Sequence, residues 1–248
     1  MSVSSQVQAC AKRLGLRIIR ITPKSSPALR IADILNRSNI RCVLDVGANS
    51  GGYAWELFDE GYAGRIISFE PLPTAWQQLK AKSASYGGRW LAGPQVAVSA
   101  ENGEAVFHEA ENSVSSSLLP MRDEHVRASP GSGPARDIKV TTRMLDDLLP
   151  AIDISSDEPL FLKIDTQGSE KQVLKGASRT IAQHVDGIQV EMSLVPLYDG
   201  QPLAAEIHAM LEGLGFVLWD MIPGTRDRST HRLLQYDGVY FKRSFSLA

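Results

Sequence analysis

The chain has 248 residues, and its hydrophobic content of 43% and charged content of 22% are ordinary for a soluble globular protein. No apolar run approaches the roughly 20 residues of a membrane span. Two cysteines are too few for a disulfide framework. The composition therefore excludes a helical membrane protein and a disulfide scaffold, and it predicts one α/β domain with a full core in the reducing cytoplasm.

Charge is spread unevenly. Residues 1–41 hold eight basic residues and one acid, Asp33, so this segment carries a formal charge of +7 and the remainder −9. The favoured interpretation is a solvated helical face that packs on the acidic body. The alternative is a weak contact with a membrane surface or another anionic partner. No nucleic-acid partner is expected, and the oligomeric state is not predicted.

The leader, residues 1–40, is predicted to be helical. Apolar residues at helical spacing favour one helix over 5–20, with Leu14, Ile18 and Ile21 on one stripe, and a second over 27–38. Pro23 and Pro27 separate the two. The main domain is expected to span residues 41–248.

From Arg41 onward, predicted strands and helices alternate. This alternation favours a mostly parallel sheet with helices on both faces, closed by an antiparallel hairpin. A Ser-, Pro- and Gly-rich stretch over 112–136 is predicted to be a mobile loop, so that 111–137 is an insertion. The predicted strands are 41–46, 64–70, 95–99, 103–109, 137–142, 159–164, 187–192, 216–222 and 238–242, and the helices are 51–60, 74–85, 203–214 and one beginning at Ser169.

The first strand runs into a glycine turn, and the second ends in a carboxylate, as in α/β sheets that bind a nucleoside. Asn49 stands where a dinucleotide fingerprint has its second glycine, and Asp45 would repel a pyrophosphate. The turn instead suits a ligand with a positive amino group, such as the methionine part of S-adenosylmethionine. The predicted binding residues here are Asp45, Gly47, Ala48, Asn49, Gly51, Glu70 and Pro71.

A second cluster follows on later strands. Lys163 and Asp165 share one strand face by the two-residue period, and Glu191 interrupts another apolar strand. We expect Asp165 and Glu191 to project into one cleft, where they would hold a divalent cation or bind and deprotonate an acceptor hydroxyl. No histidine lies near enough in sequence to favour a metal site. The alternative is a structural ion pair with Lys163.

Two loops supply weaker candidates. His231, in the polar loop between the closing strands, is a second-choice base, although a lone loop histidine is more often simply exposed. The stretch over 111–118, with Asn112 and Ser117, either covers the cofactor or contacts a sugar-like acceptor, or is plain linker.

These motifs together resemble the FkbM family of S-adenosylmethionine-dependent methyltransferases over roughly residues 41–243. The glycine turn alone is modestly specific, and the block around Asp165 makes the resemblance strong. The matching motifs are Leu44-Asp45-Val46-Gly47-Ala48-Asn49-x-Gly51, Phe69-Glu70-Pro71, Asn112 with Ser116-Ser117-Leu118, Leu145-Asp146-Asp147, and Leu162-Lys163-Ile164-Asp165-x-x-Gly168-x-Glu170-x-x-Val173-Leu174-x-Gly176-Ala177.

The resemblance implies a class I methyltransferase fold and O-methylation, commonly of sugars or polyketide-type natural products. It also implies that Asp45, Gly47, Asn49 and Glu70 line the cofactor site, with Asp165 at the methyl-transfer end. Two other hypotheses stay open at this point: a nicotinamide-dependent oxidoreductase on a similar sheet, and a catalytically silent module that keeps the cofactor pocket.

Overall fold

The computed structural model describes residues 3–38, 40–152, 154 and 158–247. The helices are α1 Val3–Arg13, α2 Pro27–Arg37, α3 Gly52–Asp59, α4 Pro73–Ser83, α5 Asp123–Ala128, α6 Leu145–Leu148, α7 Glu170–Gly176, α8 Ser178–Gln183 and α9 Ala204–Gly213. The strands are β1 Cys42–Val46, β2 Arg65–Phe69, β3 Trp90–Ala92, β4 Ala97–Val98, β5 Gly103–Ala110, β6 Pro134–Arg143, β7 Leu160–Ile164, β8 Val185–Ser193, β9 Phe216–Pro223 and β10 Gln235–Lys242.

The main sheet has the strand order β3-β2-β1-β7-β8-β10-β9. Strands β1, β2, β3, β7 and β8 pair in parallel, whereas β10 pairs antiparallel with both β8 and β9. The order reverses between β1 and β7, which is where open α/β sheets form a crevice at the carboxyl ends of their strands. The predicted class I methyltransferase architecture, with its closing antiparallel pair, is confirmed.

Helices cover both faces of this sheet because side chains alternate along each buried strand. On β1, Leu44 packs into a core with α7, α8 and α9, whereas its neighbour Val43 packs into a second core with α2, α3 and α4. Both faces of the central strands are therefore buried, and only the strand ends are free to meet a ligand.

One predicted strand is placed differently. The third strand of the main sheet is β3, not residues 95–99, and β4 within that stretch pairs instead with β6 in a separate sheet of order β4-β6-β5. Three residues give too short an apolar signal to be recognised, although Trp90 is almost fully buried. The two strands predicted over 103–109 and 137–142 are confirmed as β5 and β6.

The leader and the insertion also depart from expectation. Helix α1 ends at Arg13, and the predicted stripe of Leu14, Ile18 and Ile21 is exposed, so the helix predicted over 5–20 is wrong beyond its first half. The predicted loop over 112–136 contains α5, and Ser115, Ser116 and Ser117 are buried. No helix among the described residues is long and apolar enough to cross a membrane.

Candidate functional site

A cavity of about 330 Å³ lies at the carboxyl ends of β1, β2 and β7. It is within the size range of small-molecule sites. Of the residues predicted from the sequence, those that line it are Gly47, Ala48, Asn49, Glu70, Pro71 and Asp165. The structure thus brings the glycine turn, the second-strand acid and the later aspartate to one space.

Close backbone packing explains the glycines of the turn. Gly47 has a φ of 78°, and a Cβ there would lie 1.8 Å from the carbonyl oxygen of Asp165. Gly51 has a φ of 83°, and a Cβ there would lie 2.4 Å from the Trp90 ring. Only glycine fits both conditions. Gly51 does not line the cavity, so it shapes the turn from behind.

The carboxylate of Glu70 is held by the backbone. Its two oxygens accept hydrogen bonds from the amide nitrogens of Asn49 and Leu72, each at 2.8 Å. Burial raises the pKa of Glu70 to about 7, although the two amide hydrogen bonds oppose this shift. Each oxygen keeps a further acceptor position, so Glu70 is oriented to receive hydroxyl groups from the cavity.

The side of the cavity near Glu70 is apolar. Five apolar side chains form this wall. They come from the segment after β2, from β4 and the residue before it, from β5 and from the insertion: Leu72, Val96, Val98, Phe107 and Leu118. A flat, apolar ring system fits this surface while a hydroxylated neighbour meets Glu70.

Asp45 lies beneath the turn and does not line the cavity. It is fully buried within β1, directly opposite Lys163 in the β1–β7 register. The Lys163 Nζ lies 3.4 Å from Asp45 Oδ1, and the Ser68 hydroxyl donates to Oδ2 at 2.9 Å. Burial would lower the pKa of Lys163, but the carboxylates of Asp165, Asp45 and Asp237 raise it above its usual value. Asp45 and Lys163 therefore form a buried ion pair.

The loop after β7 is braced by Glu170. One oxygen of Glu170 accepts from the amide nitrogens of Thr166 and Gly168, at 3.1 and 2.9 Å, and from the Thr166 hydroxyl at 3.2 Å. Gly168 has a φ of 104°, which favours glycine. The spacing Asp165-x-x-Gly168-x-Glu170 thus encodes a fixed loop that presents residue 165 to the cavity.

Gln167 joins the two predicted catalytic acids. Its amide nitrogen donates to Asp165 Oδ1 at 2.7 Å and to Glu191 Oε2 at 2.9 Å. The Tyr198 hydroxyl lies 3.0 Å from Gln167 Oε1 and 2.9 Å from the Ser115 carbonyl oxygen. Gln167 adopts a φ of 54°, which is uncommon for a non-glycine residue and is typical of a functional constraint.

Asp165 and Glu191 differ in their access to the cavity. The Asp165 side chain is 34% exposed and lines it, whereas Glu191 does not. Glu191 also accepts a hydrogen bond from Gln235 Nε2 at 2.6 Å. Burial, together with the nearby carboxylates of Asp165 and Glu170, raises the pKa of Glu191 well above its usual value. Asp165 is thus the acid that a ligand meets first.

The lining residues that the sequence analysis missed include Tyr53, Glu56, Gln167 and Asp237. Gln189 Nε2 donates to Asp237 at 3.0 Å, and the Tyr53 hydroxyl donates to Gln189 Oε1 at 2.9 Å. Burial and the charge of Asp165 raise the pKa of Asp237 to about 6. The available signal was an acid two residues before the apolar run Val239-Tyr240-Phe241 of β10.

The remaining predicted residues lie outside the lining. Asn112 accepts from the Ser115 amide at 3.1 Å, and the Ser117 hydroxyl donates to the Gln167 carbonyl at 2.6 Å. Their neighbours Ser113 and Ser116 reach the cavity instead. His231 lies on the exposed loop between β9 and β10. Within the described part of the chain, no group of three or more histidine, cysteine or acidic side chains could hold a metal ion.

Several methyltransferases are similar to this chain in sequence or in fold. The chain is 27% identical over 233 residues to the methyltransferase sdnD of Sordaria araneosa, with 85% of each chain covered. It is also similar to the 1,6-didemethyltoxoflavin-N1-methyltransferase of Burkholderia thailandensis, with 13% identity, a TM-score of 0.44, and 88% and 80% of the two chains covered. For the magnesium protoporphyrin IX methyltransferase of Synechocystis PCC 6803, the identity is 10%, the TM-score 0.42 and the coverage 89% and 80%.

The chain also matches a protein-family model. The family described as the methyltransferase FkbM domain matches residues 45–218, which include the glycine turn, Glu70, Lys163 and Asp165. This match covers most of the chain. The protein is therefore a methyltransferase that belongs to the FkbM family.

Proposed function

We propose that the protein uses S-adenosylmethionine to methylate a hydroxyl oxygen of a sugar-containing or polyketide-type small molecule. The observation that carries this proposal is the charge of the cavity. Its lining holds four carboxylates, those of Glu56, Glu70, Asp165 and Asp237, against the single described cation Lys163. Such a surface favours a cationic ligand and disfavours a diphosphate.

The residues present fit this cofactor. The apolar wall around Leu72 and Phe107 suits an adenine ring, and Glu70 has free acceptor positions for ribose hydroxyls. The carboxylate of Asp237 also lines the cavity and suits an ammonium group. When bound, S-adenosylmethionine would supply a methyl group on a positively charged sulfonium.

Asp165 is our candidate for orienting the acceptor and receiving its hydroxyl proton. It lines the cavity, its Oδ1 is held by Gln167, and its Oδ2 lies 3.5 Å from the Lys163 ammonium. Glu191 is less suited to be the first base because its raised pKa favours the protonated form. We propose that Glu191 is a positioning residue. It holds the Gln167 side chain, which in turn holds Asp165.

Isothermal titration calorimetry with S-adenosylhomocysteine tests the cofactor half of the proposal. Glu70→Ala removes the carboxylate proposed to accept hydrogen bonds from the two ribose hydroxyls. We therefore expect the affinity for S-adenosylhomocysteine to fall about 100-fold. The control is Glu104→Ala, an exposed acid on β5 outside the cavity, which should leave the affinity unchanged. Unchanged binding in Glu70→Ala, or NADH displacing S-adenosylhomocysteine in the wild type, would contradict the proposed site.

Transfer of an isotopically labelled methyl group tests the acceptor half. The enzyme is incubated with labelled S-adenosylmethionine and a panel of glycosides and polyketide alcohols, each paired with the analogue that lacks one hydroxyl. We expect label in a subset of the alcohols and none in the matched deoxy compounds. Label on nitrogen or carbon acceptors alone would refute O-methylation while leaving the cofactor assignment intact.

A further inference from the structure

The leader carries five cations for which the described residues offer no ion-pair partner. These are the exposed side chains of Lys12, Arg13, Arg17, Arg20 and Lys24. None of them makes an ion pair or side-chain hydrogen bond with the described residues, and no acid precedes Asp33 in the sequence. For these five residues, the structure does not contain the basic face packed on the acidic body that the sequence favoured.

A neighbouring arginine shows that pairing with the body is available. Arg30 forms an ion pair of 2.7 Å with Asp220 on β9, whereas Arg37 lies 3.5 Å from Asp33 on its own helix α2. The five leader cations stand N-terminal to this point and extend into solvent. Among the described residues, the five cations are therefore unpaired because the leader holds them away from the acids of the domain.

Exposed apolar side chains alternate with these cations. Leu14 is 72% exposed and Ile21 is 68% exposed, and Leu16, Ile18 and Ile19 between them are all more than half exposed. Leucine and isoleucine interleaved with lysine and arginine, without acids, form the composition of segments that lie in a membrane interface.

The path of the chain brings the exposed apolar residues and the cations of the leader close to α1 and α2. After α1, Gly15 takes a φ of 71°, and the Leu16 amide donates back to the Ala11 carbonyl at 2.9 Å. The Gln8 side chain contacts the Ile18 carbonyl, so residues 16–18 run back along α1. The Arg30 guanidinium donates to the Pro23 carbonyl at 2.6 Å, which fastens the leader to α2.

We propose that residues 7–24 dock the enzyme on an anionic lipid bilayer. The leucine and isoleucine side chains enter the interface, and the five cations meet the headgroup phosphates. A bilayer satisfies both features at once, because it offers an apolar layer beneath a continuous anionic surface. This binding is independent of methyl transfer, since the leader lies outside the described lining of the cavity.

Co-sedimentation of the full chain with vesicles tests the proposal. One vesicle is phosphatidylcholine alone, and the other contains about 30% phosphatidylserine. We expect binding to the anionic vesicle, little binding to the neutral one, and release as NaCl is raised from about 0.1 M to about 0.5 M, because screening shortens the range of the attraction.

Matched variants assign the binding to the leader. Arg13→Glu with Arg17→Glu should lower the partition coefficient at least about tenfold. Leu16→Ser with Ile19→Ser should lower it as well. Lys139→Glu with Lys175→Glu changes the net charge equally on β6 and α7, and it should bind like the wild type. Circular dichroism and S-adenosylhomocysteine binding show whether each variant is folded.

Three results would overturn the proposal. The first is no sedimentation with anionic vesicles at low salt. The second is equal loss of binding in the Lys139 and Lys175 control, which would make the attraction non-specific. The third is a leader-dependent dimer in light scattering without vesicle binding, which would assign the same surface to a second copy of the chain.

Discussion

Two aspartates at the same edge of the sheet have opposite surroundings. Asp45 and Asp165 lie 3.4 and 3.5 Å from the same Lys163 ammonium. Asp45 is fully buried, whereas a third of the Asp165 side chain is exposed. The difference arises from position, because Asp45 is the fourth residue of β1 and is paired with β7, while Asp165 follows the last residue of β7.

This difference separates two uses of a strand-end carboxylate. Asp45, inside the ladder, is covered by neighbouring strands and compensates the buried charge of Lys163. An acid one residue beyond the ladder reaches the crevice, where ligands bind. Lys163 couples the two, since it neutralises Asp45 and at the same time lies beside the acid that faces the cavity.

Removing the shared cation should have the largest effect. Lys163→Met leaves Asp45 buried without its counter-ion, and we expect the free energy of unfolding to fall by about 3–5 kcal/mol. Urea denaturation monitored by circular dichroism measures the change.

The matched variant for this experiment combines Asp45→Asn with Lys163→Met. It removes both charges, so it should recover much of the lost stability. If the double variant were as unstable as the single one, the ion pair would not be the reason for the burial of Asp45.

Asp165→Asn tests whether Asp165 serves turnover, whereas Asp45 serves stability. Since Asp165 is partly exposed and beyond the ladder, we expect stability to change little while kcat falls about 10²- to 10³-fold. Single-turnover methyl transfer measures the rate, and calorimetry with S-adenosylhomocysteine measures binding. A comparable loss of cofactor affinity would instead make Asp165 a cofactor ligand.

Local patterns were enough to predict most of the fold. The continuous apolar run ending at Val46 indicated a central strand, and the turn that follows it indicated the carboxyl edge. Glu70 and Asp165 were predicted at that edge because each follows a buried strand, and both line the cavity. These features depend on neighbours in sequence.

Long-range pairing accounts for what the sequence left open. The depth of Asp45 depends on its register with Lys163, and Asp237 reaches the cavity only because β10 inserts between β8 and β9. Strand β3 is three residues long and gives no periodic signal. The stripe of Leu14, Ile18 and Ile21 has helical spacing, but Gly15 turns the chain away from a helix.

Gln167 tests whether Asp165 needs its neighbour. Gln167→Ala removes the amide that Asp165 shares with Glu191, and we expect kcat to fall about 10- to 50-fold because nothing then holds Asp165 Oδ1. Gln167→Gly relieves the positive φ and should be the more stable variant, yet it should lose the same activity. Full activity in Gln167→Gly would show that only the backbone of residue 167 matters.

The smallest expected effect is the pH dependence of cofactor binding, which we assign to Glu70. Unlike Asp45 and Asp165, Glu70 is held by backbone amides. Its pKa of about 7 lies above the ordinary value, so lowering the pH through 7 protonates it in the folded protein. Because ribose hydroxyls require the carboxylate as acceptor, affinity for S-adenosylhomocysteine should rise about tenfold from pH 6 to pH 8. Glu70→Gln should flatten this dependence in calorimetry, and Glu104→Gln should retain it. If the affinity of Glu70→Gln still rose steeply with pH, the titrating group would be Asp237 instead. Asp237 is the other lining acid whose raised pKa falls near this pH range.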